Sequence, residues 1–362
     1  MAKKNLKNAL KAHEAKRSQA AKLKAVEEAA KRKAASIRPG NHHVKRQKKV
    51  ERDQKSKKYV QPFRQEDTIL LVGEGNFSFA HSLLLEPHNH DPDLILATAL
   101  DSEQECYEKY PDARQHVEEM RRIAGRDSIV IFHVDAGNLE IIKEVTGGSN
   151  AIKDQISARW SKVVFNFPHV GAGHKDESRN ILSNQLMLLR FLVSVAPLLS
   201  QGSAPTYISS GRKVRKGSEE DEAEEQELDE AFRCRSGFQI PTIAGSVLIT
   251  LRNCKPYTLW DVPTLAKRLP SIIGTISSSA PPMSKGVKGP SKEQIDRLLS
   301  LGQGKAYRVW RSFEFRPEHY SIYSHRRTIG WKHGKSTSEN EDITRLQQLD
   351  GENRTYELGL LD

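Results

Sequence analysis

The chain has 362 residues, room for one large or two modest domains with a substantial core. Its three cysteines (Cys106, Cys234, Cys254) lie too far apart for a disulfide framework or a zinc ribbon, which fits a reducing compartment. The net charge of +11 is lopsided: residues 1–58 hold 20 Lys/Arg and 5 Asp/Glu, a surplus of +15, whereas the remainder carries −4, with nine acids between Glu219 and Glu230 alone. No apolar run approaches the length of a membrane span and the N-terminus lacks a signal-peptide core, so a soluble intracellular protein is expected.

Residues 3–35 are rich in Ala, Lys, Glu and Leu and favour helix, which Pro39-Gly40 stops. The apolar face there is thin (Leu6, Leu10, Leu23, Val26), so residues 1–60 read as a basic, helical or disordered arm. Lys45, Arg46, Lys48 and Lys49, with Lys55, Lys57 and Lys58, suit RNA phosphates through counterion release. The same clusters read as nuclear-import signals. From residue 68 the pattern turns α/β. Strand-like runs at Ile69–Val72, Leu94–Leu100, Ile129–Val134, Val163–Phe167 and Val247–Leu251 alternate with helical segments at Phe77–Leu85, Gln104–Ile123 and Asn180–Leu199. Such alternation predicts a mostly parallel sheet covered on both faces. Pro205–Ser209 is a second possibility for the fifth strand; the more apolar Val247–Leu251 is preferred. Residues 203–244 and 275–292 read as surface insertions. Tyr307–Phe315 and Arg327–Trp331 read as a final strand pair at one sheet edge, and 333–362 as a polar, peripheral tail.

Chemistry gathers at the ends of the expected strands. Gly73-Glu74-Gly75-Asn76-Phe77 follows the first one. The glycines allow a close backbone approach, and the helix start offers free N–H groups, as for an adenosine-containing cofactor. Asp101, 28 residues after Gly73, can accept from both ribose hydroxyls; capping the next helix is its structural alternative. Asp135-Ala136-Gly137 ends the third strand, as an acid for an adenine amino group beside room for a flat ring, or as a plain turn. Asn166-Phe167-Pro168-His169 ends the fourth. A polar Asn among aromatic and Pro residues at a strand's carboxyl end is costly without a task, and a base can be held there by hydrogen bonds and stacking. His88, His90 and Asp91 are not expected to hold a metal.

In order, Gly73–Phe79, Ala97–Ser102, Lys109–Pro111, Val134–Ala136, Phe165–His169, Val247–Leu251, Pro256–Trp260 and His325–Gly330 resemble the Rossmann-like 25S rRNA (uridine-N3)-methyltransferase family of fungi and plants. The resemblance covers roughly residues 66–332, apart from the two insertions. It implies an α/β, Rossmann-like class I S-adenosylmethionine-dependent methyltransferase domain, with a seven-stranded, mostly parallel sheet and an antiparallel edge pair. It also implies N3 methylation of a uridine in large-subunit ribosomal RNA, a pre-ribosomal partner and a nucleolar setting, with the cytoplasm as a second compartment. A monomer without membrane attachment is expected.

By the same likeness, Gly73, Glu74, Gly75, Asn76 and Phe77 line the methionine side of the cofactor, Asp101 holds its ribose, and Asp135 with Ala136 meets its adenine. Asn166 to His169 face the target base, where related enzymes carry an Asn-Pro-Pro-Tyr loop. The imide N3 of uridine must lose a proton, and His169 is the residue considered as its acceptor, with Asn166 accepting from N3–H. Arg326 and Arg327 join the basic arm in holding RNA. A non-catalytic ribosome-assembly factor on the same fold is the alternative. A nicotinamide-dependent oxidoreductase fits less well, because Ser78 stands where a third glycine belongs.

Overall fold

Five short apolar strands are the frame on which the rest of the chain hangs. They are β1 (Ile69–Leu71), β2 (Ile95–Thr98), β3 (Val130–Ile131), β4 (Lys162–Asn166) and β5 (Ser246–Arg252). All pair in parallel, with β1 between β2 and β4. Two antiparallel strands, β6 (Tyr307–Glu314) and β7 (Asn353–Leu360), complete a seven-stranded sheet in the order β3-β2-β1-β4-β5-β7-β6. The computed structural model describes residues 59–148, 159–171, 176–209, 238–281, 291–294, 296, 307–326 and 353–360. The basic arm, with Lys45, Arg46, Lys48 and Lys49, lies outside the described residues, as do Arg327, most of the first insertion and half of the second.

Alternate strand residues feed two cores, as burial on both faces requires. Leu70, Val163, Phe165, Val247 and Ile249 pack on α4 (Glu177–Val195) and α5 (Val262–Ser279). Ile69, Leu71, Ile95, Val164 and Leu248 pack with α1 (Ser78–Leu83) and α3 (Ala113–Ala124), through Phe79, Leu83, Val117 and Met120.

Four expectations change. The helix read over Gln104–Ile123 is two, α2 (Glu103–Lys109) and α3, because Tyr110 precedes Pro111 and is held extended at φ −129°. Helix α5 runs on to Ser279, inside the segment assigned to the second insertion, and Thr206–Ser209 is a helical turn. The helical stretch Glu177–Leu198 is long and apolar enough to span a membrane by length and composition, contrary to the reading of the sequence. It is 72% buried inside the fold, which accounts for its apolarity.

The largest correction concerns the C-terminus. Residues 353–360, assigned to a peripheral tail, form β7 between β5 and β6. The strand hides behind an acid: Glu357 is fully buried, where Lys162 Nζ donates to it at 2.7 Å, with Ser246, Tyr207 and Arg311 as further donors.

Candidate active site

The carboxyl ends of the parallel strands gather backbone strain. Among the described residues, five non-glycine residues have positive φ, and four of them follow strand ends: Phe77 after β1, His133 after β3, Phe167 after β4 and Asp261 beyond β5. Each costs on the order of 1–2 kcal/mol. Strain of this kind persists where the surroundings over-determine it, often at ligand clamps.

The loop after β1 is held from several sides. Gly73 has φ +68°, and a Cβ there would stand 2.5 Å from the Phe165 ring, so the position requires glycine. Glu74 N–H donates to Thr98 O at 2.8 Å, and the Cys106 thiol donates to Gly75 O at 3.2 Å. Burial pushes that thiol up to about 12, so it stays protonated. Two of the N–H groups expected to be free at the start of α1 are used locally. Ser78 N–H donates to Asn76 Oδ1 and Ala80 N–H to Glu74 Oε2.

That bond to Ala80 is long, 3.4 Å, and it is the one hydrogen bond of the Glu74 carboxyl among the described residues. No cation pairs with it there, and burial raises its pKa to about 7. A carboxyl without a cation in such a place suits a positively charged ligand.

Asp101 ends β2 next to Leu100, which is 65% exposed. Lys109 Nζ reaches Asp101 at 2.5 Å, so a diol would have to share that carboxylate with an ammonium group. Leu100 is a feature the sequence reading missed. An exposed Leu at a strand's carboxyl end offers a flat apolar ligand a surface, but one Leu within an apolar run carries no sequence signal.

Asp135 departs from its expected role. Its Oδ1 accepts from Gly137 N–H at 2.9 Å and Arg190 Nη1 at 3.5 Å. Its Oδ2 accepts from Asn138 Nδ2 at 3.1 Å and Arg190 Nη2 at 2.8 Å. Four donors fill the acceptor sites of a carboxylate. No side-chain acceptor is left for an adenine amino group. Gly137 lacks a Cβ because the Arg190 guanidinium lies 2.5 Å from where one would stand. The motif therefore anchors α4 and positions the backbone of Ala136.

Asn166 occupies the end of β4. Its Nδ2 is buried and has no hydrogen-bond partner among the described residues. Its Oδ1, the acceptor expected for N3–H, has none there either, so the amide offers both a donor and an acceptor. Phe167, with φ +50°, donates its N–H to Thr250 O at 2.8 Å and sets its ring 4.5 Å from His325 and 5.7 Å from Phe315. Pro168 follows it and is buried. His169 Nδ1 accepts the Gly171 N–H at 2.8 Å. Burial lowers its pKa, so the ring is neutral and carries its proton on Nε2.

A segment far along the chain completes the site. Ser324 N–H donates to Ser78 Oγ at 3.0 Å, and Arg326 Nη2 donates to Asp112 Oδ2 at 2.8 Å. The same Asp112 oxygen accepts from Asn76 Nδ2 at 2.8 Å. Arg326, expected to grip RNA, is instead turned inward, its side chain 10% exposed, and locks this segment onto the Gly73–Phe77 loop. Tyr323 packs edge-on against Phe79 and Phe315, where burial and the nearby Glu74 hold its pKa well above the usual value. His88 and His90 donate to, or accept from, no shared centre: their Nε2 atoms meet the carbonyls of His319 and Asp67.

A sheet whose strand order reverses beside β1, with a glycine loop, an acid and an Asn-aromatic-Pro segment at the carboxyl ends of the parallel strands β1, β2 and β4, is the arrangement of a Rossmann-like methyltransferase. The rRNA (uridine-N3-)-methyltransferase BTM5-like family model matches residues 70–327, and the chain belongs to that family. Three curated proteins are similar to it. The 25S rRNA (uridine(2634)-N(3))-methyltransferase of Saccharomyces cerevisiae is 27% identical over 274 residues, covering 73% of this chain and 77% of the yeast protein. An uncharacterized protein of Arabidopsis thaliana is 34% identical over 149 residues, 40% of this chain and 64% of that one. Heavy metal-associated isoprenylated plant protein 41, also of Arabidopsis thaliana, is 26% identical over 156 residues, 43% of this chain and 27% of that one.

Proposed function

We propose that this chain transfers a methyl group from S-adenosylmethionine to N3 of a uridine in large-subunit ribosomal RNA. The observation that carries the chemistry is the unpartnered, buried Nδ2 of Asn166. A uracil presents carbonyls on both sides of N3. As N3 loses its proton to solvent, negative charge spreads onto those oxygens, and a preorganised donor in the site stabilises it. The Asn166 amide is suited to this as a donor to a uracil carbonyl, leaving N3 itself open. Phe167 is suited to stack on the base.

The residues present fit a sulfonium donor. The Glu74 carboxyl without a cation complements its positive charge, Leu100 offers an apolar face for its adenine, and Asp101 accepts from its ribose. S-adenosylmethionine when bound supplies an activated methyl group for in-line displacement. The chain's task is to hold N3 in line at close approach and keep water out. His169 is set aside as the N3 proton acceptor, because its Nδ1 is occupied and its Nε2 already bears hydrogen. It shapes the loop instead.

Ribosomal RNA as substrate is supported by the yeast relative's activity and by the +15 arm. A nucleolar location and action as a monomer belong to the same reading. The target base must be unstacked to reach such a site. The test is transfer of tritiated methyl to undermethylated large-subunit RNA. Asn166→Ala and Asp101→Ala should each lose most of the activity; full activity in both would sink the assignment.

A further inference from the structure

At the end of β5, on the same edge of the sheet as Asn166, a small cleft is lined by Leu251, Arg252, Tyr257, Asp261, Arg354 and Tyr356, among others. Its volume is about 80 Å³, the room of two or three waters at about 30 Å³ each. That suits a phosphate group.

Arg252 is the unusual member. Arg190, Arg311 and Arg326 each rest on a carboxylate. Arg252 forms no ion pair among the described residues, and its Nε is buried without a hydrogen-bond partner. Its guanidinium lies 5.7 Å from the Tyr257 ring. Asp261, the acid on the rim, accepts instead from Thr264 N–H at 3.4 Å, capping α5. Arg354 Nη1 donates to Ser312 Oγ at 2.8 Å, which fixes its fork at the cleft. Arg252 therefore brings to the cleft a guanidinium with no carboxylate partner among the described residues.

The cleft is joined to the candidate site. Arg252 lies two residues beyond Thr250, the register partner of Asn166 on the neighbouring strand. Strand geometry therefore puts the two Cα positions about 8 Å apart. A row of rings connects them: His169 to Trp260 at 5.8 Å, Trp260 to Tyr257 at 5.1 Å, and Tyr257 to Arg252.

We propose that this cleft is a phosphodiester subsite, in which Arg252 holds the RNA backbone beside the nucleotide whose base enters at Asn166. The planar fork of Arg matches two phosphate oxygens, and a backbone contact there sets the register of the target without reading its sequence. The inference rests on the reading of the protein as an RNA methyltransferase.

The experiment is binding of a short fluorescent oligouridylate to the full chain, between about 50 and 200 mM salt. Arg252→Ala should weaken binding several-fold and make the salt slope shallower by about 0.7, the value for one phosphate on a single strand. It should raise KM for ribosomal RNA while the melting temperature stays at the wild-type value. Arg252→Lys should keep the slope and lose only part of the affinity, because charge remains without the fork. Wild-type affinity and slope in Arg252→Ala overturn the subsite alone, as does a slope in Arg252→Lys as shallow as that of Arg252→Ala. Inorganic phosphate that competes as well as the oligonucleotide reassigns the cleft to a free anion and overturns it too. A wild-type chain that binds no RNA overturns the functional reading together with the subsite.

Discussion

Glu74 sits in a loop pinned through its own N–H and the Gly75 carbonyl, yet its carboxyl has one long hydrogen bond and no cation among the described residues. Burial raises its pKa from 4.5 to about 7. The native chain then holds this proton more tightly than the unfolded one. The resulting stability is complete below about pH 4.5 and is lost as pH rises through 7. Glu74→Gln should remove that loss and be more stable than wild type at pH 8 by up to about 3 kcal/mol, while binding S-adenosylmethionine more weakly. Unfolding in urea at pH 5 and pH 8 checks it; identical pH dependence in both proteins would refute it. His169 supports a second prediction. An Asn side chain can accept the Gly171 N–H in place of Nδ1, so His169→Asn should keep turnover within about tenfold and keep the shape of the pH profile. A fall of about 10²–10⁴, the usual worth of a general base, would return the proton to His169.

Among the elements, the contact between the Gly73–Phe77 loop and the segment at Tyr323–Arg326 is the one that joins the strand ends to a segment far along the chain. Its pins are Ser78 to Ser324, and Asp112 to both Asn76 and Arg326. Asp112→Ala strands a guanidinium that is 10% exposed and frees Asn76. Because Asp112 itself is 25% exposed, the cost should be about 2 kcal/mol, below that of a fully buried pair. Affinity for S-adenosylmethionine should fall as well, since Tyr323 and His325 lose their anchor. Denaturant unfolding and calorimetry on one preparation separate the two effects; unaltered affinity at lowered stability would mean the segment only braces the fold. The loop was legible in the sequence because Gly-Glu-Gly follows an apolar strand within a few residues. Its partner was not, because Ser78 and Ser324 are 246 residues apart and no local spacing connects them. Arg326 was legible as a cation but not as an inward one, because Asp112 belongs to a different element.

At the scale of the whole molecule, the parallel strands could be read from their apolar runs, and the final strand could not. Asn353–Leu360 carries Asn, Arg, Thr and Glu, and buries its Glu357 against charges from β4 and β6. A polar sequence becomes an interior strand only because those partners arrive from elsewhere in the chain. Burial pushes the Glu357 carboxyl up, but Lys162 and Arg311 outweigh it and hold the pKa at about 2. Its contribution is therefore present above about pH 4.5 and lost as pH falls through 2. Residues from Val60 onward form a compact unit of their own, and this bears on the +15 arm before them. If the arm's charges serve RNA, a chain beginning at Val60 should melt at the full-length temperature and bind S-adenosylmethionine equally well. Its affinity for ribosomal RNA should fall, with a salt slope shallower by about 0.7 for each phosphate the arm neutralises on a single strand. An unchanged slope would leave the arm to nuclear import, and a fluorescent fusion of residues 1–58 would then have to enter the nucleus unaided.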